Sequence, residues 1–310
     1  MKHISNNILM IRPISFRYNE QTALNNYYQK SLDNLSANQI QERALLEFDN
    51  LVLELQNIGV NVIVIDDTKE PNTPDSIFPN NWVSFHTDGI VGLYPMYAEN
   101  RRNERREDIF DILVDEYTFK ITSIKDFTDF EDHKKYLEGT GSMGLDRKNK
   151  ICYAAISIRT DEIAVMQFCK EFGYQAVCFR ANHDVDGKRE AIYHTNVMMC
   201  IAESFSVVCL DAIDDKVERE YVVESLRNTE KEVIEITEIQ KSRFAGNMLQ
   251  VMGDKPYLVM SKSAFSSLTD QQILEIEKYC PIVYSSLDTI EACGGGSARC
   301  MMAEVFLPRR

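Results

Sequence analysis

The chain is poor in the residues that would mark several classes of protein. Of 310 residues only 8 are proline and 13 glycine, so no stretch reads as a linker or a low-complexity segment. No apolar run approaches the length of a membrane span. The first residues, Met1-Lys2-His3-Ile4-Ser5-Asn6-Asn7, lack the apolar core of an export signal. The eight cysteines include no CxxC pair and no Cys/His spacing of a zinc site, which, without an export signal, predicts reduced thiols and a cytoplasmic location. Positive charge is also in deficit. With 34 Lys and Arg against 48 Asp and Glu the net charge is −14, a balance that repels phosphate backbones and argues against nucleic acid as a partner. The expected partner is a small molecule rather than a membrane or a polymer, and a homodimer stays open.

Hydrophobic residues make up 44% of the chain, enough for a sizeable core. Short β-branched runs alternate with helical patterns. Ile8–Ile11 is expected to be a strand, residues 39–58 a helix with apolar Ala44, Leu45, Phe48, Leu51, Val52 and Leu55 at helical spacing, and Val60–Ile65 the next strand after Gly59. Further strands are expected at 82–85, 90–93, 151–157, 175–179, 197–201, 206–210, 232–236, 248–251, 257–260 and 282–284. Helices are expected at 100–115, 161–172, 215–227 and 269–279. The order predicts an α/β fold in which two strands, a helix and a strand recur.

Asn81, Glu138, His194, Asn247 and Cys300 each stand just before a strand pair or in a loop leading to one, at separations of 57, 56, 53 and 53 residues. A near-constant period is the mark of a repeated unit. If the units surround an axis, these five positions fall near one centre.

Their chemistry is that of nucleophilic catalysis. Cys300 follows Gly294-Gly295-Gly296-Ser297-Ala298-Arg299. A thiol works as its thiolate, which positive charge favours, and glycines allow close approach and free N–H groups. The plain alternative is a buried apolar thiol. His194 is the side chain suited to acid/base work near neutral pH, against the alternative of a satisfied core histidine. Glu138, before Gly139 and Gly141, can orient it. Asp75 and the pair Asn80-Asn81 form a second polar cluster, with a simple turn as the structural alternative. Arg159 precedes a helix. Arg101 heads a run with Arg102, Arg105 and Arg106 that otherwise reads as a solvated helix face, and guanidinium groups grip carboxylates at two points.

The ordered set Asp75, Asn80-Asn81, Arg101, Glu138-Gly139, Arg159-Thr160, His194-x-Asn196 and Gly294-Gly295-Gly296…Cys300 resembles the guanidine-modifying, or pentein, superfamily over nearly the whole chain. The resemblance implies one catalytic domain, 1–310, folded as a five-fold pseudo-symmetric α/β propeller of ββαβ modules, with no metal or organic cofactor. It implies Cys300 as nucleophile, His194 as general acid/base, Glu138 as its supporting carboxylate, Arg159 and Arg101 on the substrate α-carboxylate, and Asp75 near the amino-acid end. Arginine-acting relatives carry acids where this chain has Asn80, Asn81 or Asn196. Neutral amides match a ureido group better than a fixed cation, so the expected reaction is hydrolysis of citrulline to ornithine, ammonia and carbon dioxide. The alternatives are a deiminase or dihydrolase acting on arginine or a substituted arginine, an amidinotransferase, a non-catalytic amino-acid sensor, and a cysteine peptidase. Cys293 is a second thiol without an assigned role.

Overall fold

The computed structural model describes residues 4–310, so Met1-Lys2-His3 of the N-terminal reading lies outside the described residues. Its strands form five three-stranded sheets and one two-stranded hairpin. In four of the sheets, successive strands 83–85, 90–93 and 123–126; 144–146, 151–155 and 175–179; 199–201, 205–208 and 232–235; and 249–252, 256–261 and 282–285 pair first antiparallel and then parallel, the parallel step crossing over through helix. The fifth sheet has the same order but joins the two ends of the chain. Ala303–Glu304 pairs antiparallel with Asn7–Arg12, which pairs parallel with Asn61–Asp66 after the helix Ala37–Asn57.

Local sequence accounts for these elements. Helix Ala37–Asn57 starts at a capping box, Ser36 with Gln39, and buries Ala44, Phe48, Leu51, Val52 and Leu55 at the expected helical spacing. Gly59, at φ 87°, takes the left-handed turn that ends it. Helix Glu162–Phe172 is capped by Asp161 and closed by Gly173 at φ 68°. Parallel strands such as Ile151–Ala155 are buried along their whole length, because a helix covers one face and the neighbouring modules the other.

Several expectations need correction. The helix expected at 100–115 is two pieces, Glu99–Arg102 and Asp108–Asp115, with Arg101 in the first of them turned inward. Residues 195–197 open as a 3₁₀ turn before the strand Met199–Ile201. The strands Ser123–Asp126, Gly144–Asp146 and Ala303–Glu304, and the hairpin Asn182–Val185 with Lys188–Ala191, were not expected.

Candidate active site

The five landmark residues lie on the turns that lead into the first strand of each sheet. Asn81 ends the 3₁₀ turn Pro79–Asn81, Glu138 caps the short helix Gly139–Ser142, His194 caps the turn Thr195–Val197, and Asn247 and Cys300 end turns before Leu249 and Ala303. Two glycines let the turns meet. A Cβ at Gly139, which sits at φ 48°, would strike the carbonyl oxygen of Asn80, and one at Gly141 would overlap Asn81 Nδ2 and stand 2.9 Å from His194 Nδ1.

His194 Nε2 lies 2.7 Å from Glu138 Oε2. A carboxylate only accepts, so Nε2 carries the proton and Nδ1 keeps its lone pair. Burial pushes His194 down to about 4, although Glu138 pulls the other way. Burial opposes ionisation of Glu138 too, but Arg159, His194 and Arg101 together hold it well below the usual carboxylate range. The pair therefore rests as a neutral imidazole on a carboxylate, ready to accept a proton.

Cys300 is 4% exposed, and its Sγ accepts from Asn196 Nδ2 at 3.3 Å and Asn247 Nδ2 at 3.2 Å. The Asn247 amide is fixed in this sense, since its Oδ1 accepts from Arg299 N at 3.0 Å and its Nδ2 also donates to Asn196 O at 3.0 Å. Two donors aimed at one sulfur suit the acceptor role of a thiolate. Asn196 Oδ1 is buried and has no hydrogen-bond partner among the described residues. The N–H of Gly295 donates to Glu291 O, so it is taken, and the residue sits at φ 62° as the cap of helix Asp288–Gly294.

Around this centre lies a buried charge cluster. Arg101 holds Glu104 through Nε and Nη2, both at 2.8 Å, and donates from Nη1 to Asn81 Oδ1 at 2.8 Å. Asp75 Oδ2 stands 3.9 Å from Arg101 and accepts from Asn19 Nδ2 at 2.7 Å and Thr22 Oγ1 at 3.1 Å, while its Oδ1 has no hydrogen-bond partner among the described residues. Arg159 faces Glu138 at 3.6 Å, donates to Asn25 Oδ1 and to Thr22 O, and packs over the Tyr193 ring. Burial raises Asp75, and pushes Glu104 up to about 7 against the pull of Arg101.

These contacts change the reading of several side chains. The Arg101 fork is filled by Glu104 and Asn81, so it is not free to clamp a substrate carboxylate. Asn80 turns away, donating to Thr140 Oγ1 at 3.3 Å and accepting from Asn81 Nδ2 at 3.1 Å. Arg105 is half-buried and bound to Glu131 at 2.5 Å rather than solvated. Thr22, Asn25 and Asn26, on the segment after the cap Asn19, form a roof that sequence reasoning missed. Polar residues scattered in a loop carry no periodicity that would have revealed them. Glu104 was missed because it looked like one more charge on a surface helix. Asn247 was marked only by its spacing. Under the roof, Asp75, Asn81, Arg101, Arg159, His194 and Cys300 line one cavity of about 10 Å³, the space of a single water molecule.

The fold and this constellation define a class, the cysteine hydrolases and transferases of the pentein superfamily. The chain belongs to the family described as N,N dimethylarginine dimethylhydrolase, eukaryotic, which it matches over residues 12–307. Among solved structures it is similar to ArgZ, an arginine dihydrolase from the ornithine-ammonia cycle in Cyanobacteria, at 18% identity and TM-score 0.74, covering 98% of this chain and 41% of that one. It spans 97% of the isolated N-terminal domain of ArgZ, solved as a cysteine-to-serine mutant bound to substrate, at 18% identity, TM-score 0.72 and 96% coverage of this chain. A dimethylarginine dimethylaminohydrolase in adduct with S-methyl-L-thiocitrulline matches at 14% identity and TM-score 0.61, covering 97% of this chain and 99% of that one. The chain thus spans about two fifths of full-length ArgZ. No curated protein matches its sequence. Among the described residues no helix is long and apolar enough to cross a membrane.

Proposed function

We propose that the chain hydrolyses the guanidino group of arginine or a close derivative through a covalent Cys300 intermediate, and carries the citrulline formed on to ornithine. This places arginine ahead of citrulline as the substrate that enters. The observation that carries it is the buried charge count. Asp75, Glu104 and Glu138 supply three carboxylates, and Arg101 and Arg159 two guanidinium groups, around a neutral His194. Above about pH 7, where Glu104 is ionised along with Asp75 and Glu138, the site is one negative charge in excess. Arginine, a zwitterion with a cationic side chain, restores the balance on burial, and citrulline does not. Most of the amide groups that pointed to a ureido substrate are engaged elsewhere: Asn80 and Asn81 bind each other and their neighbours, and Asn196 Nδ2 serves the sulfur, leaving its Oδ1 open. The arginine dihydrolase structures are consistent with this order of substrates.

In this reading the five sheets surround a common axis as a five-fold propeller, one catalytic domain over 1–310, and the five turns converge at one end. The roof over Thr22, Asn25 and Asn26 must shift to admit substrate, since the closed cavity holds no more than a water. Its movement would free the Arg159 fork for the α-carboxylate and leave the open Oδ1 of Asp75 for the α-ammonium. His194 Nδ1 takes the Cys300 proton as sulfur attacks the guanidino carbon, then gives it to departing ammonia. Water, deprotonated by the same Nδ1, releases citrulline and the thiol. A second cycle on the ureido carbon expels ornithine, and the carbamoyl group is hydrolysed to carbon dioxide and ammonia. Arginine and two waters thus give ornithine, two ammonia and carbon dioxide. Asn196 Oδ1, free beside the sulfur, is an acceptor for the attacking water.

The test is turnover of purified protein with arginine, dimethylarginine and citrulline at equal concentration, scoring citrulline, ornithine and ammonia. Ornithine from arginine supports the proposal. Citrulline accumulating without ornithine removes the second cycle, and turnover of citrulline with arginine inert restores the ureido substrate and overturns the charge argument.

A further inference from the structure

A second cavity lies apart from the one at Cys300. It measures about 690 Å³, within the range of small-molecule sites. It is lined by Tyr27, Tyr28, His183, Lys241 and Arg243 among others, and shares no lining residue with the catalytic cavity. Two buried nitrogens on its wall make no hydrogen bond among the described residues. Lys241 is 1% exposed and its Nζ makes no hydrogen bond among the described residues. The nearest carboxylate, Glu238, is 3.8 Å away and already holds Arg189 at 2.6 Å. His183 is 7% exposed and its Nε2 is likewise without a partner among the described residues, though its ring is stacked on Tyr28 at 5.6 Å and tilted against Tyr27 at 5.5 Å.

A buried ammonium without an acceptor is costly, and native proteins rarely keep one idle. The Lys241 ammonium lacks an oxygen within hydrogen-bond distance, so a ligand that satisfies it carries an anionic or carbonyl oxygen, with His183 Nε2 beside it as a donor in the tautomer that carries its proton there. Lys30 and Arg243, both exposed at the rim, add positive charge. Five carboxylates also stand on the wall, Asp184, Asp186, Glu238, Asp288 and Glu291. Four of them have partners: Asp184 accepts from Gly187 N, Asp288 from Ser286 Oγ, Glu291 from Ser297 Oγ, and Glu238 from Arg189. A multiply charged anion would meet all five. A single carboxylate is repelled less because it carries less charge, and an ammonium on the same molecule would find them favourable.

The geometry points to this cavity as a second binding site, for a zwitterionic α-amino acid whose carboxylate meets Lys241 and His183 and whose ammonium faces the acidic side of the wall. The site lies against the roof of the catalytic cavity, because Tyr27 and Tyr28 continue the segment that carries Thr22, Asn25 and Asn26. Tyr28 also meets Tyr193 edge-on at 6.2 Å. Its existence does not depend on the reaction proposed above, since no catalytic residue lines it.

The experiment is calorimetric titration of the full chain with L-glutamine, with succinate and inorganic phosphate as the dianionic comparisons at fixed ionic strength. Saturable binding of glutamine is expected, with both dianions at least tenfold weaker. Lys241→Met, which keeps the length and fills the same core space, should weaken glutamine at least tenfold and leave the melting temperature unchanged or higher. Unweakened binding to that variant, dianions binding as well as glutamine, or no binding at all would each overturn the proposal. A fall in melting temperature with binding retained would show that Lys241 is a structural partner of Glu238. If Lys241→Met does not fold, the double variant Lys30→Gln with Arg243→Gln, altered only at the exposed rim, supplies the test. A loss of glutamine affinity of threefold or more is expected there, and unchanged affinity refutes the site.

Discussion

Replacing Asp75 with asparagine removes one buried negative charge while keeping nearly the same shape and an acceptor for Asn19 and Thr22. The charge count then falls from an excess of one to none, and the site should lose its preference for a cationic substrate. At a separation of roughly 6 Å and an effective dielectric of about 20, a carboxylate and a guanidinium attract by about 3 kcal/mol, equivalent to about a hundredfold in rate. The expected result of Asp75→Asn is therefore a fall of about a hundredfold in kcat/KM for arginine relative to kcat/KM for citrulline. The assay is steady-state release of ammonia with each substrate on the same preparation, so that partial loss of folded protein cancels in the ratio. A ratio that moves by less than about threefold, or equal losses on both substrates, would refute the reasoning from charge balance and leave Asp75 as a scaffold for the roof.

Cys300→Ala should abolish turnover by at least about three orders of magnitude, with circular dichroism and melting near the parent, because the thiol packs as a small buried group. Asn247→Ala deletes one donor to the sulfur and the partner of Arg299 N. We expect kcat to fall about 10²-fold, with a loss of about 1–3 kcal/mol in denaturant titrations. Stability should decline as pH falls from about 6.5 towards 4. His194 and His183 are each held down to about 4 by burial, so the unfolded chain binds their protons first and the advantage of the neutral folded forms, full above 6.5, is lost on acidification. For His194 the window corresponds to about 3 kcal/mol, and His194→Gln should flatten the melting-temperature profile across it. Gly141→Ala should cost activity more than stability, by displacing His194 and Asn81. An active variant with parent-like kcat would show that the contact yields.

Much of the architecture was visible in the sequence because it repeats. The β-branched runs at 60–65, 90–93 and 175–179 and the apolar stripe of helix Ala37–Asn57 announce themselves by period, and the interval near 55 residues marked all five turns. The missed strands are those with no pattern to show. Ser123–Asp126 is an edge strand with charged, exposed positions, and Gly144–Asp146 and Ala303–Glu304 are only three and two residues long. Pairing partners fix such segments, not their own composition. At the site, the residue types were legible but their engagements were not. Arg101 reads as a free guanidinium until Glu104 is seen to fill its fork, and Asn80 and Asn81 read as substrate contacts until they are found bonded to each other. That difference moved the inferred substrate from citrulline to arginine.

The sheet that joins Ala303–Glu304 to Asn7–Arg12 bears on how the enzyme comes into being. Four of the five convergent turns leave the ribosome before the one that bears Cys300, and until it arrives Asn247 and Asn196 have no sulfur to serve and the first strand no antiparallel neighbour. The growing chain can therefore form its Glu138–His194 pair and most of its core while remaining chemically silent. Reactivity is switched on only when the turn bearing Cys300 is made, in the same event that gives the strand Asn7–Arg12 its antiparallel neighbour.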